Sequence, residues 1–131
     1  MILGAGIDIV EISRIERVLA RQGERFLARV FTRAERRDCE RRGRPAAQVA
    51  LRFAVKEAGM KALGTGWAKG IGWHDFETVE TATGLEVRLS GRARSLGETL
   101  GLRTTWLGTS LTRTHALAQV VLEGGAESGR E

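Results

Sequence analysis

The stretch from Pro45 to Gly64 constrains the fold more than any other part of the chain. Proline suits the first turn of a helix because the N–H it lacks has no partner there anyway. Glycine suits the left-handed residue that closes one. Between them the sequence predicts a long helix. On a wheel at about 100° per residue, Gln48, Arg52, Lys56 and Gly59 fall on the only polar arc. Val49, Ala50, Phe53, Ala54, Ala58, Met60 and Ala62 fill most of the rest. Glu57 and Lys61 lie beside Phe53 and Ala50, outside the polar arc. An acid and a base four residues apart also make an ordinary helix-surface pair, but such a pair belongs among the other polar residues. Their place on the apolar side makes Glu57 and Lys61 candidates for a site. Lys56, on the polar arc, is expected to face solvent.

Around this helix the chain reads as α+β. Residues 2–12, rich in Ile and Val, predict a strand. Ser13 with Glu16, and Thr32 with Glu35, have capping-box spacing, so helices are expected from Ser13 and over 33–42. Gly43, Arg44 and Pro45 break the chain. Residues 64–72 form a glycine-rich loop, 73–81 a strand, Thr83 and Gly84 a turn, and 86–90 the returning strand. A helix follows over 91–100, then two tightly joined strands over 104–112 and 115–123. Helices first and antiparallel hairpins after them argue for an antiparallel sheet with a long central helix and shorter helices, not a wound parallel sheet. A chain of 131 residues suits one domain. That domain is expected over 1–123, with a polar, disordered tail over 124–131.

Charge is distributed unevenly. Residues 14–44 carry eleven arginines against five acids, a net of +6, within a chain whose net charge is +5. So local a field attracts an acidic partner, unless the segment is only a solvated basic face. It interleaves just Phe26 and Phe31, poor material for stacking on bases, so nucleic acid is not the expected partner. No apolar run reaches the length of a membrane span. The first residues lack the basic and long apolar regions of a signal peptide. With Cys39 the single cysteine, no internal disulfide forms, and the cytoplasm is the expected compartment.

Asp8 is a second misplaced charge, set among Gly6, Ile7, Ile9 and Val10. A carboxylate there requires an ion pair, hydrogen bonds or a metal. Two separated carboxylates with few histidines suit a hard ion such as Mg²⁺, which leaves most of its shell to water and phosphate. Cys39, His74 and His115 show no zinc-ligand spacing. The glycines at 64, 66, 70 and 72 bring backbone N–H groups within reach of a phosphate, or simply make turns. Trp67, Trp73 and Trp106 read as packing residues, and His74 as a surface or strand residue.

Three segments taken together carry a family resemblance: Gly6-Ile7-Asp8-Ile9-Val10-Glu11-Ile12, Phe31-Thr32-Arg33-Ala34-Glu35, and the run from Arg52 to Gly66, RFAVKEAGMKALGTG. In order and spacing they resemble the holo-[acyl-carrier-protein] synthases, small bacterial 4'-phosphopantetheinyl transferases. The resemblance implies transfer of the phosphopantetheine arm of coenzyme A to a serine of an apo acyl carrier protein, in support of fatty acid biosynthesis. Adenosine 3',5'-bisphosphate would be released. It implies Asp8 and Glu57 as Mg²⁺ ligands and Lys61 as a phosphate contact. It also implies Arg52, Gly64, Thr65 and Gly66 near coenzyme A, Arg14, Arg21 and Arg25 as the docking surface for the acidic carrier protein, and a homotrimer. Either Glu57 or a water on the metal would take the serine proton.

Two positions depart from the family pattern. Arg113 stands where a histidine is usual before the last strand, with His115 close by, and Glu86 replaces a common proline of the middle hairpin. A non-enzymatic basic binding module is the rival reading. The acids at 8 and 57 count against it, since such a module has no need of carboxylates inside its fold.

Overall fold

The computed structural model describes residues 1–66 and 68–125. Strand β1 (Ile2–Glu11) runs directly into α1 (Ile12–Gln22), followed by α2 (Glu24–Val30), α3 (Arg33–Arg41) and the long α4 (Pro45–Leu63). A 3-10 turn (Trp73–Asp75) leads into the hairpin of β2 (Phe76–Thr81) and β3 (Gly84–Leu89). Helix α5 (Gly91–Leu100) and strands β4 (Leu102–Leu111) and β5 (His115–Gly124) complete the chain. The sheet order β1-β5-β4 is antiparallel throughout, and β2-β3 is a separate antiparallel pair. The fold is therefore the α+β arrangement expected.

Helix α4 lies at its centre. Gly64 closes it in the left-handed conformation at φ 78°, and Pro45 opens it. One side rests on β1 and β5, where Val10, Ala116, Ala118, Val120 and Leu122 are buried with Ala54, Ala58 and Ala62. The contact with β1 is unusually close. A Cβ on Gly4 would overlap the carbonyl oxygen of Ala62, and one on Gly6 that of Ala58. Only glycine at these positions lets the helix backbone lie on the strand. The other side of α4 meets β2: the ring of Phe76 would be 2.7 Å from a Cβ on Gly59.

Local details differ from expectation where tertiary bonds intervene. Helix α1 begins at Ile12 without a side-chain cap, because the Ile12 N–H donates to the Thr114 carbonyl at 2.9 Å in the β4–β5 turn. The Ser13 capping box is therefore not formed. The Thr32–Glu35 box is formed, with both of its bonds. Residues 73–75 make a 3-10 turn instead of starting the strand. Asp75 there accepts from the N–H groups of Gly72 and Ala93, and so caps α5 from across the fold. Strand β5 extends through Gly124, where a tail was expected; residues 126–131 of that tail lie outside the described residues. Trp73 packs against Phe53, with ring centroids 5.3 Å apart. Trp106 is exposed, contrary to a packing role, and Trp67 lies outside the described residues.

Candidate active site

The period-2 alternation of β1 turns Gly4, Gly6, Asp8 and Val10 toward α4 and Ile7 and Ile9 away from it. Because Gly6 admits the helix so closely, Asp8 comes within reach of residues one and two turns along α4. Lys61 Nζ donates to Asp8 Oδ1 at 3.1 Å and to the Ile7 carbonyl at 3.2 Å. Glu57 lies one turn before Lys61 and is half-buried. Burial pushes its carboxyl above the ordinary range and the charge of Asp8 adds to this, while Lys61 and Arg14 oppose it. Among the described residues nothing donates a hydrogen bond to the Glu57 carboxylate. The fold therefore brings Asp8 together with Glu57 and Lys61, although Lys61 lies 53 residues further along the chain. It sets two carboxylates close enough to repel, with one lysine between strand and helix.

Arg14 belongs to the same neighbourhood. Its guanidinium carbon stands 5.8 Å over the ring of Phe53, and its charge is felt by Glu57. Arg14 and Arg21, seven residues apart, are both exposed on α1. Arg25 is exposed too, but the left-handed break at Gly23 (φ 51°) places it on α2, so the period of α1 does not extend to it. None of the three forms an ion pair with a described residue. Several other arginines of the segment are partly neutralised: Arg36 by Glu24, Arg41 by Asp38 and Glu80, Arg42 by Glu80.

The polar arc of α4 does not face solvent. Lys56 and Arg52 are both fully buried, because β2 and α3 cover that side of the helix. Lys56 pairs with the equally buried Glu35 at 2.9 Å. Burial pulls its ammonium below the usual lysine range and Glu35 opposes this. The Arg52 guanidinium donates to the Gln48 side chain at 2.8 Å and reaches Glu80 at 3.5 Å; its Nε, also buried, finds no partner among the described residues. Arg52 thus sits behind α4, held by protein groups and closed to solvent. Gly64, Thr65 and Gly66 do lie at the surface, after the end of the helix that carries Glu57 and Lys61. Gly66 is left-handed (φ 64°), and Thr65 Oγ1 donates to the Gly66 carbonyl.

At the opposite end of α4, Arg44 adopts a left-handed backbone (φ 58°) and its guanidinium donates to the carbonyls of Thr112 and Arg113. Arg113 itself is exposed in the β4–β5 turn. His115 Nδ1 is 2.9 Å from Thr114 Oγ1. His74 is exposed in the 3-10 turn, its Nε2 3.1 Å from the Ala28 carbonyl. Two groups of residues carried no signal in the helical wheel. One is the Gly4–Gly6 contact surface, legible only as glycines in an otherwise β-forming segment. The other is Glu35, whose capping-box position accounts for one of its oxygens and leaves the other unassigned.

Two carboxylates and a lysine brought together between strand and helix can neutralise and position a phosphoryl group. The 4'-phosphopantetheinyl transferase superfamily model matches residues 4–118, and the chain belongs to that family. It is 45% identical over 124 residues to a holo-[acyl-carrier-protein] synthase of Koribacter versatilis, covering 94% of this chain and 99% of that one. It is 47% identical over 125 residues to that of Alkalilimnicola ehrlichii, covering 94% and 98%. Among solved structures it resembles the holo-[acyl-carrier-protein] synthase of Neisseria meningitidis, with a TM-score of 0.85, 35% identity and coverage of 94% and 99%. The Helicobacter pylori enzyme in complex with coenzyme A superposes with a TM-score of 0.80 at 28% identity, over 91% of this chain and 99% of that one.

Proposed function

We propose that the chain transfers the phosphopantetheine arm of coenzyme A to a serine hydroxyl of an apo acyl carrier protein, releasing adenosine 3',5'-bisphosphate and supporting fatty acid biosynthesis. The observation that carries this reading is the convergence of Asp8, Glu57 and Lys61 in a chain of this family. Asp8 and Glu57 would hold Mg²⁺. Two carboxylate ligands, with the remaining positions left to phosphate and water, are what that ion accepts, and a cation would offset the burial and the repulsion from Asp8 that raise Glu57. When bound, Mg²⁺ supplies charge neutralisation at the pyrophosphate.

The chain's own residues do the rest. Lys61, on a flexible stem and half exposed, exchanges Asp8 for a phosphate oxygen and offsets the charge that develops on the leaving group. Glu57, or a water beside it on the metal, would take the proton of the serine hydroxyl. Gly64, Thr65 and Gly66 present backbone groups to coenzyme A. Arg14, Arg21 and Arg25 receive the acidic carrier protein, with Arg14 next to the reacting groups. Arg52, closed off behind the helix and held by Gln48 and Glu80, gives the coenzyme no direct contact.

The reading extends to assembly as a homotrimer in the cytoplasm. Ile7 and Ile9 are 52% and 58% exposed and Trp106 57% exposed on the outer face of the sheet, where Leu117 and Val121 lie between them. An apolar sheet face of this kind marks an interaction surface. No described helix is long and apolar enough to cross a membrane. Incubation with coenzyme A, Mg²⁺ and an apo carrier protein, read by mass spectrometry, tests the activity. The expected result is a carrier protein heavier by one phosphopantetheine, and no transfer to any apo carrier protein would refute it. Light scattering at the trimer mass, lost on Ile9→Asp, tests the assembly.

A further inference from the structure

Lys56 is fully buried with its charge engaged on every side. Its Nζ donates to Glu35 Oε1 at 2.9 Å, to the Trp73 carbonyl at 3.0 Å and to the Phe76 carbonyl at 2.6 Å. An ammonium has three donors, and all three are used. Glu35 is equally satisfied. Its Oε1 also accepts from the Thr32 N–H at 3.0 Å, and its Oε2 accepts from the N–H and hydroxyl of Thr78 at 2.8 and 2.9 Å. One side-chain pair thus joins α3, α4, the 3-10 turn and β2.

The connection it makes is specific. The chain leaves α4 at Gly64 and returns at Trp73, and Lys56 grips the returning end from two turns back on the same helix. Trp73 stacks on Phe53, and Arg14 stands over Phe53. The loop's return is therefore fixed beside the residues that flank Glu57. A buried ion pair is seldom more stabilising than apolar side chains of the same volume, so stability alone does not explain charges placed here.

We propose that Lys56 is a positioning residue for coenzyme A. Its ammonium, held by Glu35 against the carbonyls of Trp73 and Phe76, ties residues 68–75, where the chain returns after α4, to the helix that bears Glu57 and Lys61. This sets where the loop meets the coenzyme. The proposal rests on the function proposed above and concerns a residue with no contact of its own to substrate.

The test compares Lys56→Met, Glu35→Gln and the double variant. Lys56→Met alone strands a buried carboxylate and endangers folding, and the double variant removes that charge. Glu35→Gln keeps a side-chain oxygen that accepts from Lys56, so where this variant folds the amine stays on both carbonyls. For the double variant, and for Lys56→Met where it folds, KM for coenzyme A should rise on the order of tenfold. Over the same series kcat and KM for the carrier protein should stay within about twofold, and Glu35→Gln should keep KM for coenzyme A near wild type. Hydrogen exchange without substrate should quicken in the double variant at Ile71 and Asp75, whose N–H groups donate to Ala68 and Gly72 in the loop, and not in β5. An unchanged KM for coenzyme A in the folded double variant would overturn the proposal. So would a loss of activity accounted for by the unfolded fraction alone, or unchanged exchange at Ile71 and Asp75. A wild-type protein that transfers nothing fails on a different count: it overturns the proposed function, and the proposal with it, whatever the exchange shows.

Discussion

Replacing Gly6 by alanine should damage this protein far more than the addition of one methyl group normally does. The backbone at Gly6 is not in the left-handed region, so alanine is conformationally acceptable. In open space it would stabilise the fold by about 0.4–1 kcal/mol through the unfolded state. Here the new Cβ would overlap the Ala58 carbonyl oxygen and lie 2.8 Å from the Ala62 nitrogen and 2.9 Å from Lys61 Cβ. A backbone carbonyl cannot rotate out of the way, so β1 and α4 must separate by roughly 1 Å to restore ordinary contact. Overpacking costs about 1–3 kcal/mol, and the rigidity of this contact places it near the upper end. For a domain of this size that lowers Tm by roughly 10 °C. The same separation displaces Asp8 from Glu57 and Lys61, and a misplacement of about 1 Å costs on the order of 10²-fold in turnover. Thermal unfolding followed by circular dichroism, together with the carrier-protein mass assay at a temperature where the variant is folded, measures both. Gly43→Ala is the control, with nothing within 4 Å of its Cβ and an expected stabilisation of at most about 1 kcal/mol. A Gly6→Ala protein with wild-type Tm and turnover would refute the argument that these glycines create the site.

Asp8→Asn and Glu57→Gln should each lower turnover by on the order of 10²-fold while the fold survives; full activity of both in chelator-treated buffer would remove the metal assignment. Arg21→Glu should raise KM for the carrier protein and leave KM for coenzyme A unchanged. Added salt should weaken the wild type steeply, since exposed charges are screened over about 10 Å at 0.1 M ionic strength. Arg14→Glu should in addition lower kcat, because Arg14 stands over Phe53 and its charge reaches Glu57. Steady-state kinetics with each substrate varied separately distinguishes the two variants. Cys39 should resist thiol reagents at pH 8 until the protein unfolds, because burial pushes its thiol up to about 11. That value lies above the unfolded one, so the stability it contributes is intact below the ordinary thiol range and falls as pH rises toward 11. A denaturant series across that window reads the loss.

What the sequence by itself determined follows from local rules. Pro45 and Gly64 bound α4, Thr32 and Glu35 start α3, and the β-branched residues of β4 and β5 favour strands, all through preferences set within a few residues. The misplaced carboxylates at 8 and 57, and Lys61 beside the second, were legible as well. Each breaks the polarity of its own element, and folding cannot hide such a conflict without giving it a partner. The tertiary structure alone decided the partners. A helical wheel identifies a polar arc but not what covers it, and α4 is covered on both sides. The arc holding Arg52 and Lys56 is buried by β2 and α3, with Glu35 and Glu80 meeting the charges. The Ser13 box was likewise displaced by a backbone bond from Ile12 to Thr114, a residue about a hundred positions away, which no local pattern encodes. The distance between Asp8 and Lys61 depends on the missing side chains of Gly4 and Gly6. A glycine's role as a contact surface becomes visible only when the element that lies on it is in place.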